Sequence, residues 1–164
     1  MATFYTNSIL SFGDDDAVSD TYTYQAFPLG MYREEDGKGY RFAKRSDATI
    51  AITAGMCVYS LAPGTSMWTV TADVSDSHAN NVVGIAVAAI ADGSYGWLQT
   101  KGYHAAVVTD GADDNAAGDT VIAVGDGTTN IVAAGTASTH KIIGYATAAD
   151  DDSANTVPVW ICLE

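Results

Sequence analysis

Apolar and polar residues alternate with a period of two along most of the chain, the period of a strand with one face on a core. MWTVTADV at 67–74 is the clearest stretch. Trp68, Val70, Ala72 and Val74 point one way and Thr69, Thr71 and Asp73 the other, which predicts a half-buried strand. TYTYQAF at 21–27, YRFAK at 40–44, ATIAIT at 48–53 and MCVYSL at 56–61 read the same way between Gly and Asp punctuation. Further strands are expected in HAAVVTD at 104–110, GDTVIAV at 118–124 and TTNIVAAG at 128–135, with the Gly-Asp-Gly at 125–127 turning the chain between the last two. No segment has the apolar spacing of a three-turn helix, because Gly and β-branched residues interrupt the Ala-rich runs. One helical turn around 75–81 is the most the pattern allows. Residues 1–20 mix a short apolar stretch with an acid cluster and keep no period. The expected organisation is therefore an extended N-terminal arm at 1–24, ordered against a partner, and a single β domain at 25–164.

An internal repeat sharpens this picture. VVGIAVAA at 82–89 and IIGYATAA at 142–149 align without a gap. In both, bulky side chains (Val83, Ile85, Val87; Ile143, Tyr145, Thr147) alternate with small ones (Gly84, Ala86, Ala88; Gly144, Ala146, Ala148). A face of small residues lets a second layer approach closely. Each copy passes through an acidic loop into another strand, SYGWLQT or TVPVWICLE, so a duplicated hairpin is expected. Pro158 cannot donate to a ladder, which predicts an edge or a bulge there. About a dozen short strands with almost no helix make an all-β fold, a compact β-sandwich or partly closed β-barrel.

Composition narrows the function. The 164 residues suit one domain, and 48% apolar with 16% charged residues is a globular balance. The longest apolar run, at 82–91, is half of a membrane span, and the N-terminus reads as neither leader nor anchor. Seven Lys and Arg against twenty Asp and Glu leave a net charge of −13, which repels phosphate backbones and argues against nucleic acid. Most acids are Asp, a turn former, so the charge belongs to loops. Five of the seven cations lie between 33 and 45.

Candidate chemistry is sparse. His78, His104 and His140 lack a second ligand at i+2 or i+4 and read as solvent-facing residues at strand or loop ends. No serine stands in a nucleophile elbow. The Asp clusters at 14–16, 110–119 and 150–152 follow no calcium-loop order and read as solvated turns. Cys57 and Cys162 match no metal or redox spacing and are expected as reduced core residues. Three Trp and nine Tyr are expected mostly in the core, with a carbohydrate platform or an oligomer interface as the alternatives. No catalytic residue, metal or cofactor is expected.

PLGMYREEDGKGYRFAKRSDATIAITAGMCVYS at 28–60 resembles the opening of tailed-bacteriophage head decoration, or cement, proteins. The elements are Gly30, Asp36 with Gly37, Tyr40 to Phe42, and Ala51 to Gly55. VVGIAVAAI, YGWLQTKG at 95–102, AGDTV at 117–121 and IIGYATAA continue the pattern in order, over about residues 28–163. The resemblance implies a non-enzymatic virion protein on the outer capsid surface, assembled in the host cytoplasm, with the major capsid protein and its own copies, as a homotrimer, for partners. A carbohydrate- or receptor-binding module of a head or tail fibre is the alternative. Docking is expected to use the one region where the negative charge is relieved, through Arg33, Lys38, Arg41, Lys44 and Arg45; otherwise these cations only neutralise adjacent acids.

Overall fold

The computed structural model describes residues 16–61, 66–73, 81–109, 115–123, 131–133, 141–149 and 154–163. These residues form an all-β body without helix, and ten strands pair into one continuous sheet. A hairpin opens it: β1 (Tyr32–Glu35) and β2 (Lys38–Arg45) pair antiparallel across Asp36-Gly37. Both turn residues have positive φ, 51° and 74°, the backbone that a two-residue hairpin with right-twisted strands requires and that Asp-Gly supplies cheaply.

Next come β3 (Cys57–Ser60), β4 (Thr69–Thr71), β5 (Val82–Ala86) and β6 (Tyr95–Val108). The order β2-β4-β3-β5-β6, with β2 pairing back onto β6, closes a ring of five strands. The remaining strands are β7 (Thr120–Ala123), β8 (Ile131–Ala133), β9 (Ile142–Ala146) and β10 (Thr156–Cys162), ordered β10-β9-β7-β8. They join the ring through β6, whose first half pairs with β2 and whose second half pairs with β10. The partly closed barrel expected from sequence is this ring and its open continuation.

The duplication is larger than a hairpin. Cys57, Val58 and Tyr59 face Ile85, Gly84 and Val82, while Thr120, Val121 and Ile122 face Tyr145, Gly144 and Ile142. Each register skips one residue, Val83 or Ile143, at the same place in the repeat. Ser60 pairs with Val70 as Ala123 pairs with Ile131. Four strands, β3 to β6, therefore recur as β7 to β10.

The shared bulge corrects the expected faces. An extra residue turns the strand over locally, so Val83 enters one core with Ala86 and Leu98, and Ile143 enters another with Ala146 and Val159. Tyr145, expected beside Ile143, points outward and is 45% exposed.

Other expectations change for comparable reasons. Residues 21–27 are not a strand: Tyr22 alone bridges to Tyr95, while Tyr22, Ala26 and Phe27 cover an aromatic cluster of Tyr40, Phe42 and Trp97. Residues 16–24, assigned to the arm, thus lie partly on the body, with Val18 and Tyr22 packed into that cluster. In 48–53 only Ile52 bridges, to Ile90. The strands expected at 94–100 and 104–110 are one, because β6 continues through Gly102 at a φ of 89°. The stretch at 67–73 is buried on both faces from Val70 to Asp73, where Thr71 Oγ1 donates to the Asp47 carboxylate and accepts the Asp73 N–H. Pro158 sits at a bulge of β10, an interior strand, where the register skips between Val157 and Val159. The helical turn at 75–81, save Asn81, and the turn at 125–127 lie outside the described residues, as do His78, His140 and most of the Asp clusters.

Candidate docking surface

The five cations expected to dock do not share one surface. Arg45 is 6% exposed. Its guanidinium donates to the carbonyls of Asp47 (2.8 Å), Ile90 (2.8 Å) and Ile50 (2.9 Å). It follows Ala43 on the face turned into the ring, and its bonds tie the 47–50 segment and Ile90 to the end of β2. Docking by Arg45 is therefore corrected to a structural role. The bonded Asp47 belongs to the same knot. Burial pushes its carboxyl up, but hydrogen bonds from Thr71 Oγ1 and the Thr49 amide, with Arg45 nearby, hold it below the ordinary carboxylate range.

Arg33 donates to the Asp16 carbonyl at 2.7 Å and pairs with Glu35 at 2.9 Å, clamping the N-terminal segment. Lys44 lies 5.7 Å from the centre of the Tyr95 ring. Lys38 follows the hairpin turn, close enough to His104 to disfavour its protonation.

Arg41 is placed differently. Its guanidinium donates to the Gly30 carbonyl and lies 4.7 Å from the centre of the Tyr32 ring and 5.7 Å from that of Trp68, within cation–π range. It borders an open cleft of about 760 Å³ that Trp68, Val83, Thr100 and Lys141 also line. Lys141 donates to the Val82 carbonyl at 3.0 Å, and burial lowers its pKa. Sequence reasoning missed Lys141 because its nearest cation in sequence is forty residues away; only the packing of the second copy on the first brings it to the Val82 carbonyl.

The second group that sequence reasoning missed is aromatic. Tyr145 faces Trp160 and Trp160 faces Tyr103 across β9, β10 and β6. The three rings are between 41% and 45% exposed. Beside them Lys101 faces Cys162, and a recess of about 340 Å³ opens between Lys101, Trp160 and Cys162. Period-two alternation assigns Trp160 and Cys162 to one face, but it does not say that the opposite face, with Val157, Val159 and Ile161, takes the core. Cys162 is accordingly exposed and not a core residue, whereas Cys57 is buried as expected and burial pushes its thiol up. Trp97 is buried and Trp68 only partly so.

His104 is the described histidine. It sits within β6, partly buried rather than solvent-facing, and its Nδ1 accepts the Ala106 N–H. Burial, with Lys38 nearby, brings its pKa down to about 4. Among the described residues no three His, Cys, Asp or Glu side chains gather as a metal site. No family model matches the chain, and no curated protein matches it in sequence.

Proposed function

We propose that the chain is a structural, non-enzymatic virion protein that decorates a tailed-phage head by binding the outer surface of the major capsid protein lattice. One observation carries the reading. The motifs that resemble decoration proteins are the framework of this body: Gly30 lies against Trp68, Asp36-Gly37 turns the first hairpin, and Gly84 and Gly144 follow the two equivalent bulges. Residues that make the turns and bulges of a fold are those whose order along the chain a common architecture would preserve. A surface partner without catalysis also accords with a net charge of −13, which keeps the protein soluble and off packaged DNA.

On the capsid the chain associates as trimers, because several weak contacts with neighbouring capsomers multiply in avidity. The test is to add purified chain to expanded, undecorated heads built from the capsid protein of the same genome. Binding, with a rise in the melting temperature of the heads and trimeric density in a reconstruction, is expected. Heads that neither bind the chain nor gain stability would refute the reading.

The aromatic row favours one second reading, a carbohydrate- or receptor-binding module of a virion fibre, since exposed rings stack on sugar faces. That module would bind host cells when purified alone, and a decoration protein would not.

A further inference from the structure

The cleft beside Arg41 lies where the two copies of the repeat meet. Val82 and Val83 line it from the first copy, and Lys141 and Leu163 from the second. Lys141 precedes β9 as Asn81 precedes β5, and both of these equivalent residues line the cleft. The Leu163 amide donates to the Thr100 carbonyl at 3.0 Å, so two of the lining residues also join the copies. A cleft of about 760 Å³ between packed units falls within the range of small-molecule sites, which favour such junctions.

Its lining combines apolar surface with one charged anchor. Met67 and Trp68 contribute a thioether and an indole, and Met67 is 54% exposed. Lys141 is half-buried, and its ammonium donates to the Val82 carbonyl at 3.0 Å, which uses one of the three bonds an ammonium can make. Among the described residues no acid forms an ion pair with it. Burial alone lowers its pKa, whereas an adjoining carboxylate would raise it. Arg41 lines the cleft as well, but its guanidinium is engaged by the Gly30 carbonyl and by the Tyr32 and Trp68 rings, so the anchor for a ligand is Lys141.

We propose that this cleft binds a small organic carboxylate, whose anion takes the Lys141 donors that Val82 does not use and whose apolar or aromatic body lies against Met67 and Trp68. The chemistry of the lining sets the class. A carboxylate supplies the charge that the half-buried ammonium lacks among its described neighbours and accepts its hydrogen bonds. A neutral ligand would leave that charge unmatched. A dianion such as a phosphate ester would add a second negative charge to a chain already at −13, with one lysine to answer it. The site belongs to the body itself and does not depend on the capsid reading.

The experiment is calorimetric titration of the purified chain with cinnamate and with its neutral counterpart, cinnamyl alcohol. It compares the wild type with Lys141→Met and Lys141→Arg, and with Lys38→Met as a control at a lysine outside the cleft, each checked for an unchanged melting temperature. The wild type should bind cinnamate with a Kd below about 1 mM and prefer it to the alcohol by about ten-fold. Lys141→Met should remove that preference, Lys141→Arg should restore most of it, and Lys38→Met should leave it unchanged. An amide NMR map of the wild type should show cinnamate shifting Val82, Thr100 and Lys141. Absence of cinnamate binding, equal binding of the alcohol, or a preference that survives in Lys141→Met overturns the proposal. Should Lys141→Met unfold, the wild-type map decides: shifts at Lys141 and Thr100 uphold the site, and shifts confined to the exposed rings around Trp160 overturn it.

Discussion

Single residues carry two opposite lessons about charge in this protein. Arg45 looks like its neighbours in sequence, yet its three bonds to backbone carbonyls make it a rivet. Arg45→Met keeps the apolar stem and leaves those carbonyls without their donor, which should cost about 3 kcal/mol at a buried, charge-assisted site; urea unfolding of the variant measures it. Arg41→Gln, which loses ring contacts and the part-buried bond to the Gly30 carbonyl, should cost about 1–2 kcal/mol, less than Arg45→Met. His104 gives the pH dependence. Its pKa falls from 6.5 when unfolded to about 4 when folded, so the fold prefers the neutral ring. That preference contributes fully above pH 6.5 and is lost as pH falls from 6.5 to 4, by about 2 kcal/mol after allowance for partial exposure. Unfolding at pH 7.5 and 4.5 should show this loss in the wild type and not in His104→Gln. Asp47, held below the ordinary carboxylate range, titrates beneath that window and does not obscure it.

At the scale of elements, the two copies of the repeat are tests of each other. Gly84 and Gly144 each follow a bulge, where the strand runs close to its neighbour. A methyl group at Gly84 would lie 2.7 Å from Leu98 Cβ, whereas at Gly144 it would run into the Trp160 carbonyl oxygen. Leu98 Cβ moves only with its own backbone, and the overlap with the Trp160 carbonyl is closer still, so both Gly→Ala variants should destabilise, with Gly84→Ala costing about 2 kcal/mol and Gly144→Ala more. Equal melting temperatures for the two variants would contradict this ranking. The repeat and the Pro158 bulge were legible in sequence because each follows from residue type: Gly for close approach, Pro for a missing donor. The bulges at Val83 and Ile143 were not, because a bulge is a mismatch between two strands and neither strand records it alone.

For the whole molecule, β6 is the decisive element. Its first half closes the ring and its second half supports the second copy, and residues of both copies share one core cluster. Neither copy can unfold without stripping the other's wall, so unfolding should be a single transition. Trp97 lies at the ring and Trp160 on the second copy, which makes fluorescence of Trp97→Phe and Trp160→Phe variants a direct check. Coincident midpoints and slopes are expected, and two separated transitions would mean independent lobes.

Alternation, punctuation and the internal repeat determined by themselves that this chain is an all-β protein built on a duplication, since strand period and turn chemistry are properties of neighbouring residues. Whether a given face of a strand meets a core or water depends on what another segment lays over it. That is why equivalent positions end differently, Ile85 sealed between the copies and Tyr145 open at the surface. It is also why Arg45 is buried and why Lys141 and Arg41 line one cleft. Neither strand records that difference by itself, and only the packing of one copy against the other decides which face is covered.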